Sequence, residues 1–89
     1  MALTAETKRS LVEEYRRSDD DTGSPEVQVS ILTHRINEMT RHLQANRHDF
    51  ASRRGLLRMV SKRTRLLRYL AQRDRTRYKE LIGRLGLRK

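Results

Sequence analysis

Apolar residues recur along this chain at spacings of three and four, the period of an α-helix that buries one side. One such run is Val29, Leu32, Ile36, Met39 and Leu43. A later run is Leu56, Met59, Val60, Leu66, Leu67, Leu70 and Ala71. No β pattern, in which apolar and polar residues alternate, is present. The pattern therefore predicts an all-α protein.

Residues that cap helices divide this pattern into four segments. Their side-chain oxygens can accept hydrogen bonds from the first-turn backbone N–H groups. The predicted caps are Thr4, Ser24 ahead of Pro25, Asp49 and Asp74. The second helix should end at about residue 44, the third at about Arg73, and the fourth at Gly86, a left-handed stop. Short connections favour antiparallel neighbours, so we predict a small four-helix protein, mostly an antiparallel bundle with a short N-terminal helix.

Composition narrows the class of protein. A chain of 89 residues is long enough for one domain, which we expect to span residues 1–89. The sequence has no cysteine, which removes disulfides, thiolate zinc sites and thiol nucleophiles, and it has no apolar run of the length that a signal peptide or a membrane span requires. We therefore expect a cytoplasmic protein that contacts no membrane.

Charge is distributed unevenly along the chain, whose formal net charge is +10. Residues 1–30 hold four Lys/Arg against seven Asp/Glu, whereas residues 31–89 hold seventeen against four. A basic surface attracts phosphates by counterion release whatever the fold. The later helices should therefore meet a polyanion, although charge does not distinguish RNA from DNA or anionic lipid.

The third helix is predicted to have a core side and a basic side. Its basic side comprises Arg54, Arg58, Ser61, Lys62, Arg65, Arg68, Tyr69 and Gln72. From Arg53 to Arg73 there is no acidic residue, so like charges repel one another and a bound polyanion would relieve that repulsion. A solvated surface that only keeps the protein soluble is the alternative. Arg63 falls inside the apolar arc, where only snorkelling or an ion pair would account for it.

Candidate chemistry is sparse. The three histidines, His34, His42 and His48, match no zinc spacing with four ligands, and no nucleophile elbow, phosphate loop or carboxylate pair occurs. We therefore expect no enzyme, no metal and no cofactor.

The stretch "DDDTGSPEVQ" offers a second candidate surface. Thr22, Gly23 and Gln28 form a slim surface that suits the shallow minor groove of A-form RNA, which displays 2′-hydroxyls and guanine edges. A simple turn ahead of a capped helix is the alternative. Two hypotheses remain open for the aspartates at positions 19–21: they repel phosphates in wrong registers, or they compensate the helix dipole and aid solubility.

Four motifs, "DTGSPEVQ", "SRRGLL", "RLLRYL" and "RYKELIGRLGLRK", together resemble the universal uS15 family of bacterial small-subunit ribosomal proteins. The resemblance runs from about Leu3 to Lys89. It implies a four-helix protein, monomeric when free, that binds the central domain of small-subunit rRNA early in assembly. It also implies contacts with neighbouring small-subunit proteins and with large-subunit rRNA across the subunit interface, and in some members repression of the protein's own message.

The resemblance assigns roles to individual residues. The turn matching Thr22 and Gly23, with Gln28, reads a G–U/G–C element in a minor groove. The loop matching His42, Asp49 and Ser52 holds a three-way RNA junction. The full set of predicted RNA-binding residues is Thr22, Gly23, Gln28, Arg35, His42, Asp49, Ser52, Arg54, Arg58, Lys62, Arg65, Arg68 and Tyr69.

The loop between the second and third helices departs from the family pattern. A histidine-rich "HKKDHHS" is common there, whereas this chain has "NRHDFAS", so Asn46, Phe50 and Ala51 replace frequent histidines. On composition alone, the main alternative is a DNA-binding, nucleoid-associated helical module, which should read the major groove without using 2′-hydroxyls. A peripheral membrane or protein-interaction bundle is a third class, disfavoured because the basic helix has no outward aromatic-rich apolar face.

Overall fold

The computed structural model describes residues 4–15 and 23–87. Within these ranges the chain forms four helices and no strand: α1 Ala5–Tyr15, α2 Pro25–Ala45, α3 Phe50–Arg73 and α4 Arg75–Leu85. The predicted all-α, four-helix fold is confirmed. Thr22 and the aspartates at positions 19–21, for which the sequence offered hypotheses, lie outside the described residues. No helix in the described part of the chain combines the length and apolarity needed to cross a bilayer.

Each helix starts at the cap that the sequence predicts. The backbone N–H groups of Thr7, Val27, Ser52 and Arg77 donate to the side chains of Thr4, Ser24, Asp49 and Asp74 respectively, at 3.1, 3.3, 3.1 and 3.2 Å. At the end of α4, Gly86 has a φ of +68° and the N–H of Leu87 donates to the carbonyl of Ile82 at 2.9 Å. A left-handed residue at this point is favourable for glycine, which has no Cβ to clash.

The second helix is the centre of the packing, because it contacts each of the other three. The buried cluster consists of Tyr15, Val27, Val29, Leu70 and Leu81. Val27 is fully buried although it lies outside the predicted stripe that starts at Val29. A helix with three neighbours buries more of its circumference than a single apolar stripe covers. Accordingly, α2 also buries the polar residues Ser30 and Thr33.

Two long-range contacts hold α4 against the first half of the chain. The guanidinium of Arg77 donates twice to the carboxylate of Glu26, at 2.6 Å for each bond, and the Glu26 side chain is only 11% exposed. The Arg84 guanidinium lies 4.2 Å from the centre of the Tyr15 ring and donates to the carbonyl of Glu14 at 2.8 Å. Glu26, which the sequence suggests only as a favourable charge at a helix start, therefore also forms a bidentate ion pair.

Candidate nucleic-acid interface

The predicted basic side of α3 is exposed along its whole length. Its solvent-facing side chains are Arg54, Arg58, Ser61, Lys62, Arg65, Arg68, Tyr69 and Gln72, whereas the apolar residues of the opposite side are half-buried or buried. Among residues 4–15 and 23–87, no ion pair involves any of these basic side chains. Arg73 lies over the Tyr69 ring at 5.2 Å, which adds a further cation to this surface. The surface is a one-signed electrostatic site whose charge no carboxylate of the described residues neutralises.

Gln28 is held against the turn that precedes α2. Its carboxamide nitrogen donates to the carbonyl of Gly23 at 2.8 Å. A carboxamide has two N–H donors and one acceptor oxygen, so the second N–H and the oxygen remain able to bind a partner. This hydrogen bond fixes the Gln28 carboxamide, which the sequence predicts to read a base edge beside Gly23.

A small hollow joins Gln28 to the basic surface. Its volume is about 170 Å³, and it is lined by Lys8, Gln28, Ile31, Leu32, Arg35 and Lys62. Three predicted RNA-binding residues from two helices, Gln28, Arg35 and Lys62, thus meet at one place. Lys8 of α1 is an additional cation that sequence reasoning missed, because the first thirty residues are net acidic and the packing of α1 on α2, which brings Lys8 to this hollow, is not encoded locally.

The loop between α2 and α3 gathers the second group of predicted residues, which we call the loop cluster: His42, Asp49 and Ser52. The Asp49 Oδ2 atom lies 2.8 Å from His42 Nε2 and accepts a hydrogen bond from Ser52 Oγ at 2.6 Å. The amide of Asn46 donates to the His42 carbonyl at 2.9 Å. The carboxylate therefore locks the histidine and the serine in place at the start of α3.

The loop cluster lacks the geometry of a nucleophilic active site. In a catalytic triad the histidine must bond to the serine hydroxyl in order to remove its proton, whereas here both groups bond to the carboxylate instead. Within the described residues no three His, Cys, Asp or Glu side chains come together in a way that could hold a metal ion. The arrangement suits fixed hydrogen-bonding groups at a binding surface.

The loop cluster should make folding sensitive to acid. Hydrogen bonds from Ser52 and His42 lower the pKa of Asp49 from 3.8 to about 2. The unfolded chain then takes up a proton more readily than the folded protein, so this contribution to stability is complete above about pH 4 and is lost as the pH falls towards 2. The Asp49→Asn variant, which keeps a capping oxygen, should lose less stability than the wild type over that interval.

Urea unfolding followed by circular dichroism at about pH 5, 4, 3 and 2 measures this difference. Ser52→Ala is the matched variant: it keeps the titrating carboxylate but removes the strongest cause of its lowered pKa, so the loss of stability in acid should be smaller than in the wild type and should be complete at a higher pH. Identical pH profiles for the wild type and Asp49→Asn would contradict the assignment.

Phe50 is an exposed aromatic residue at the end of the loop between α2 and α3, where α3 begins. Its side chain is 55% exposed, its ring contacts the edge of His48 at a centroid distance of 6.1 Å, and the Arg53 guanidinium lies 5.6 Å away. Arg53 also donates to the Arg47 carbonyl at 3.0 Å. An aromatic ring thus occupies the rim of the loop cluster, at one of the three positions where the sequence predicts a departure from the family.

Comparison with known sequences identifies the family to which this chain belongs. A family model described as Ribosomal protein S15 matches residues 8–88. The chain is 56% identical to the small ribosomal subunit protein uS15 of Mycolicibacterium smegmatis and 57% identical to that of Vibrio cholerae, in each case over 89 residues and the full length of both chains. The chain belongs to the uS15 family of ribosomal proteins.

Membership of the uS15 family confirms the resemblance seen in the four separated motifs. The matched region contains all of α2, α3 and α4 and most of α1. The basic surface of α3, the hollow around Gln28 and the loop cluster all lie within it. The RNA contacts assigned to individual residues remain predictions, and Thr22 is the one member of that set outside the described ranges.

Proposed function

We propose that this protein is a structural component of the small ribosomal subunit that binds the central domain of its rRNA and nucleates assembly there. The loop cluster contacts a three-way RNA junction, with Arg65 and Tyr69 beside it. Gln28, with the Thr22–Gly23 turn, reads a G–U/G–C element in the adjacent minor groove. The site of action is the ribosome in the cytoplasm, and the protein is a single domain that is monomeric before it binds.

One observation carries this proposal: the two reading groups lie at separate points of one basic surface, which forms no ion pair within residues 4–15 and 23–87. The loop cluster is at the first turn of α3, and Lys62, about ten residues further along, borders the hollow that contains Gln28. At 1.5 Å per residue these points are about 15 Å apart along the helix axis. Two recognition points joined by cations match a folded RNA in which a junction lies next to a helix.

Three further roles follow from the family and belong to the same proposal. The protein contacts large-subunit rRNA across the subunit interface, touches neighbouring small-subunit proteins, and represses translation of its own message. Relatives in this family carry the name of a small ribosomal subunit protein, which supports the contact with neighbouring small-subunit proteins.

A salt titration tests whether the α3 surface binds RNA through phosphates. Arg58→Ala and Lys62→Ala should each weaken binding to cognate and scrambled junction RNAs alike, because phosphate contacts carry no sequence information. Each should also reduce the slope of log K against log salt by about one unit.

The control is Lys79→Ala, which removes an exposed lysine from α4 and leaves α3 intact. It should leave the salt slope unchanged. A DNA junction of the same sequence serves as the second ligand. Equal affinity for the DNA and the RNA would contradict the ribosomal role and favour a DNA-binding module.

A further inference from the structure

A groove of about 530 Å³ opens between α3 and α4. The residues that line it are Arg63, Thr64, Leu67, Arg68, Ala71, Tyr78 and Leu87. Only Arg68 belongs to the predicted RNA-binding set, and no residue of the loop cluster borders the groove. Apart from Arg68 at its rim, the groove is therefore a surface that the proposed RNA contacts do not use.

Arg63 gives this groove a charge that the described residues do not neutralise. Its side chain is half-buried, so the charge is partly removed from water, and this burial lowers the pKa of the guanidinium. In residues 4–15 and 23–87 its one hydrogen-bond partner is the neutral hydroxyl of Thr33, at 3.3 Å. A guanidinium has five N–H donors, so most of its hydrogen-bonding capacity is available to a ligand.

Arg77 provides a comparison within the same fold, because its charge is paired with a carboxylate. That side chain is also partly buried, but a carboxylate from α2 binds it bidentately. By comparison, the partly buried Arg63 guanidinium has a neutral partner, so no ion pair offsets the cost of removing its charge from water. The sequence predicts no role for Arg63 in the core, because a charged side chain within an apolar arc does not contribute to apolar packing.

Apart from Arg63, Arg68 and Thr64, the groove is lined by largely apolar side chains, and these decide the class of ligand. Leu67, Ala71, Tyr78 and Leu87 are each half-buried and present mainly carbon to the groove. An RNA strand would place riboses, phosphates and base edges against aliphatic groups that cannot hydrogen-bond, which is unfavourable. A peptide can supply both a carboxylate, whose two oxygens match the guanidinium fork, and apolar side chains for the rest of the groove.

We propose that the α3–α4 groove binds an apolar segment of another protein that carries an aspartate or glutamate. Its carboxylate pairs with Arg63, with Arg68 at the rim, and its apolar neighbours cover Leu67, Ala71 and Leu87. This inference goes beyond the RNA-binding function proposed above and does not depend on it.

Methyl NMR on the full-length protein tests the groove directly. The probe is the peptide acetyl-Leu-Glu-Leu-Leu-amide, and its control has glutamine in place of glutamate. The methyl signals of Leu67, Ala71 and Leu87 should shift on titration. The glutamine peptide should bind about tenfold more weakly, since a charge-assisted hydrogen bond is stronger than a neutral one by about that factor.

Two variants locate the effect at Arg63. Arg63→Met keeps the aliphatic stem and should abolish the difference between the two peptides, while Arg63→Lys, which keeps the charge but not the fork, should restore part of it. Arg65→Met, an exposed arginine two residues away on the other side of α3, should leave peptide binding unchanged. Arg63→Lys also keeps the test valid if Arg63→Met does not fold.

Several results would overturn the proposal. These are equal binding of the two peptides, an unchanged difference between them in both Arg63 variants, or an RNA hairpin that shifts the same three methyl signals at lower concentration than the peptide. A dimer whose dissociation by the peptide accompanies those shifts would identify a second copy as the occupant instead. Because affinity for cognate junction RNA should be the same in Arg63→Lys and the wild type, failure here is distinguishable from failure of the RNA-binding proposal.

Discussion

Replacing Arg77 with methionine is expected to lower the free energy of unfolding by about 3–5 kcal/mol, the cost of leaving a buried charge without its partner. The Glu26 carboxylate is only 11% exposed and receives both of its short hydrogen bonds from this guanidinium. The substitution keeps the aliphatic stem of the side chain, so the loss should come from the carboxylate rather than from packing. Urea unfolding at neutral pH measures it.

Two matched variants decide whether the ion pair is responsible. Arg75→Met replaces an exposed arginine in the same turn of α4 and should change stability little. The double variant Glu26→Gln/Arg77→Met removes both charges and should recover a large part of the loss, because the penalty arises from an unpaired buried charge. If Arg77→Met were no more destabilising than Arg75→Met, the ion pair would have no structural role.

The second large effect concerns RNA specificity. Gln28→Ala is expected to cost about 1–3 kcal/mol of binding free energy on the cognate minor-groove element and much less on a scrambled one. The carboxamide is already fixed by its bond to the Gly23 carbonyl, so little ordering is required when RNA binds. Affinities for the two RNAs at one fixed salt concentration give the specificity ratio.

Gln44→Ala is the control for this measurement, since it removes an exposed glutamine from the other end of the same helix. It should leave the ratio unchanged. A loosened turn would weaken both RNAs together, whereas a lost base contact lowers only the cognate affinity. If Gln28→Ala weakened both equally, "TGSPEVQ" would be only a well-capped helix start.

Short-range hydrogen bonds fix both candidate recognition points. The Gln28–Gly23 hydrogen bond joins residues that are five positions apart. In the loop cluster, hydrogen-bonded side chains are at most seven positions apart. Both are therefore formed by local chain geometry. Their joint use requires α2 and α3 to pack side by side, which brings Lys62 to the hollow beside Gln28.

The sequence alone determined the helices and the two sides of α3. Caps at Thr4, Ser24, Asp49 and Asp74 act within one turn, and a period of three to four residues reports one buried side, so both are readable without knowing any neighbour. The basic face of α3 follows from the same period. The left-handed stop at Gly86 is equally local, since it depends on a single backbone angle.

Only the tertiary structure decided which distant groups meet. Glu26 pairs with Arg77 across 51 positions, Arg63 donates to Thr33 across 30, and Lys8 reaches the hollow beside Lys62. Full burial of Val27 likewise follows from the three neighbours of α2. Charged and polar side chains have no period that encodes their partners, because pairing depends on which helices lie together and on how far a flexible side chain extends. The packing of the helices supplied that information.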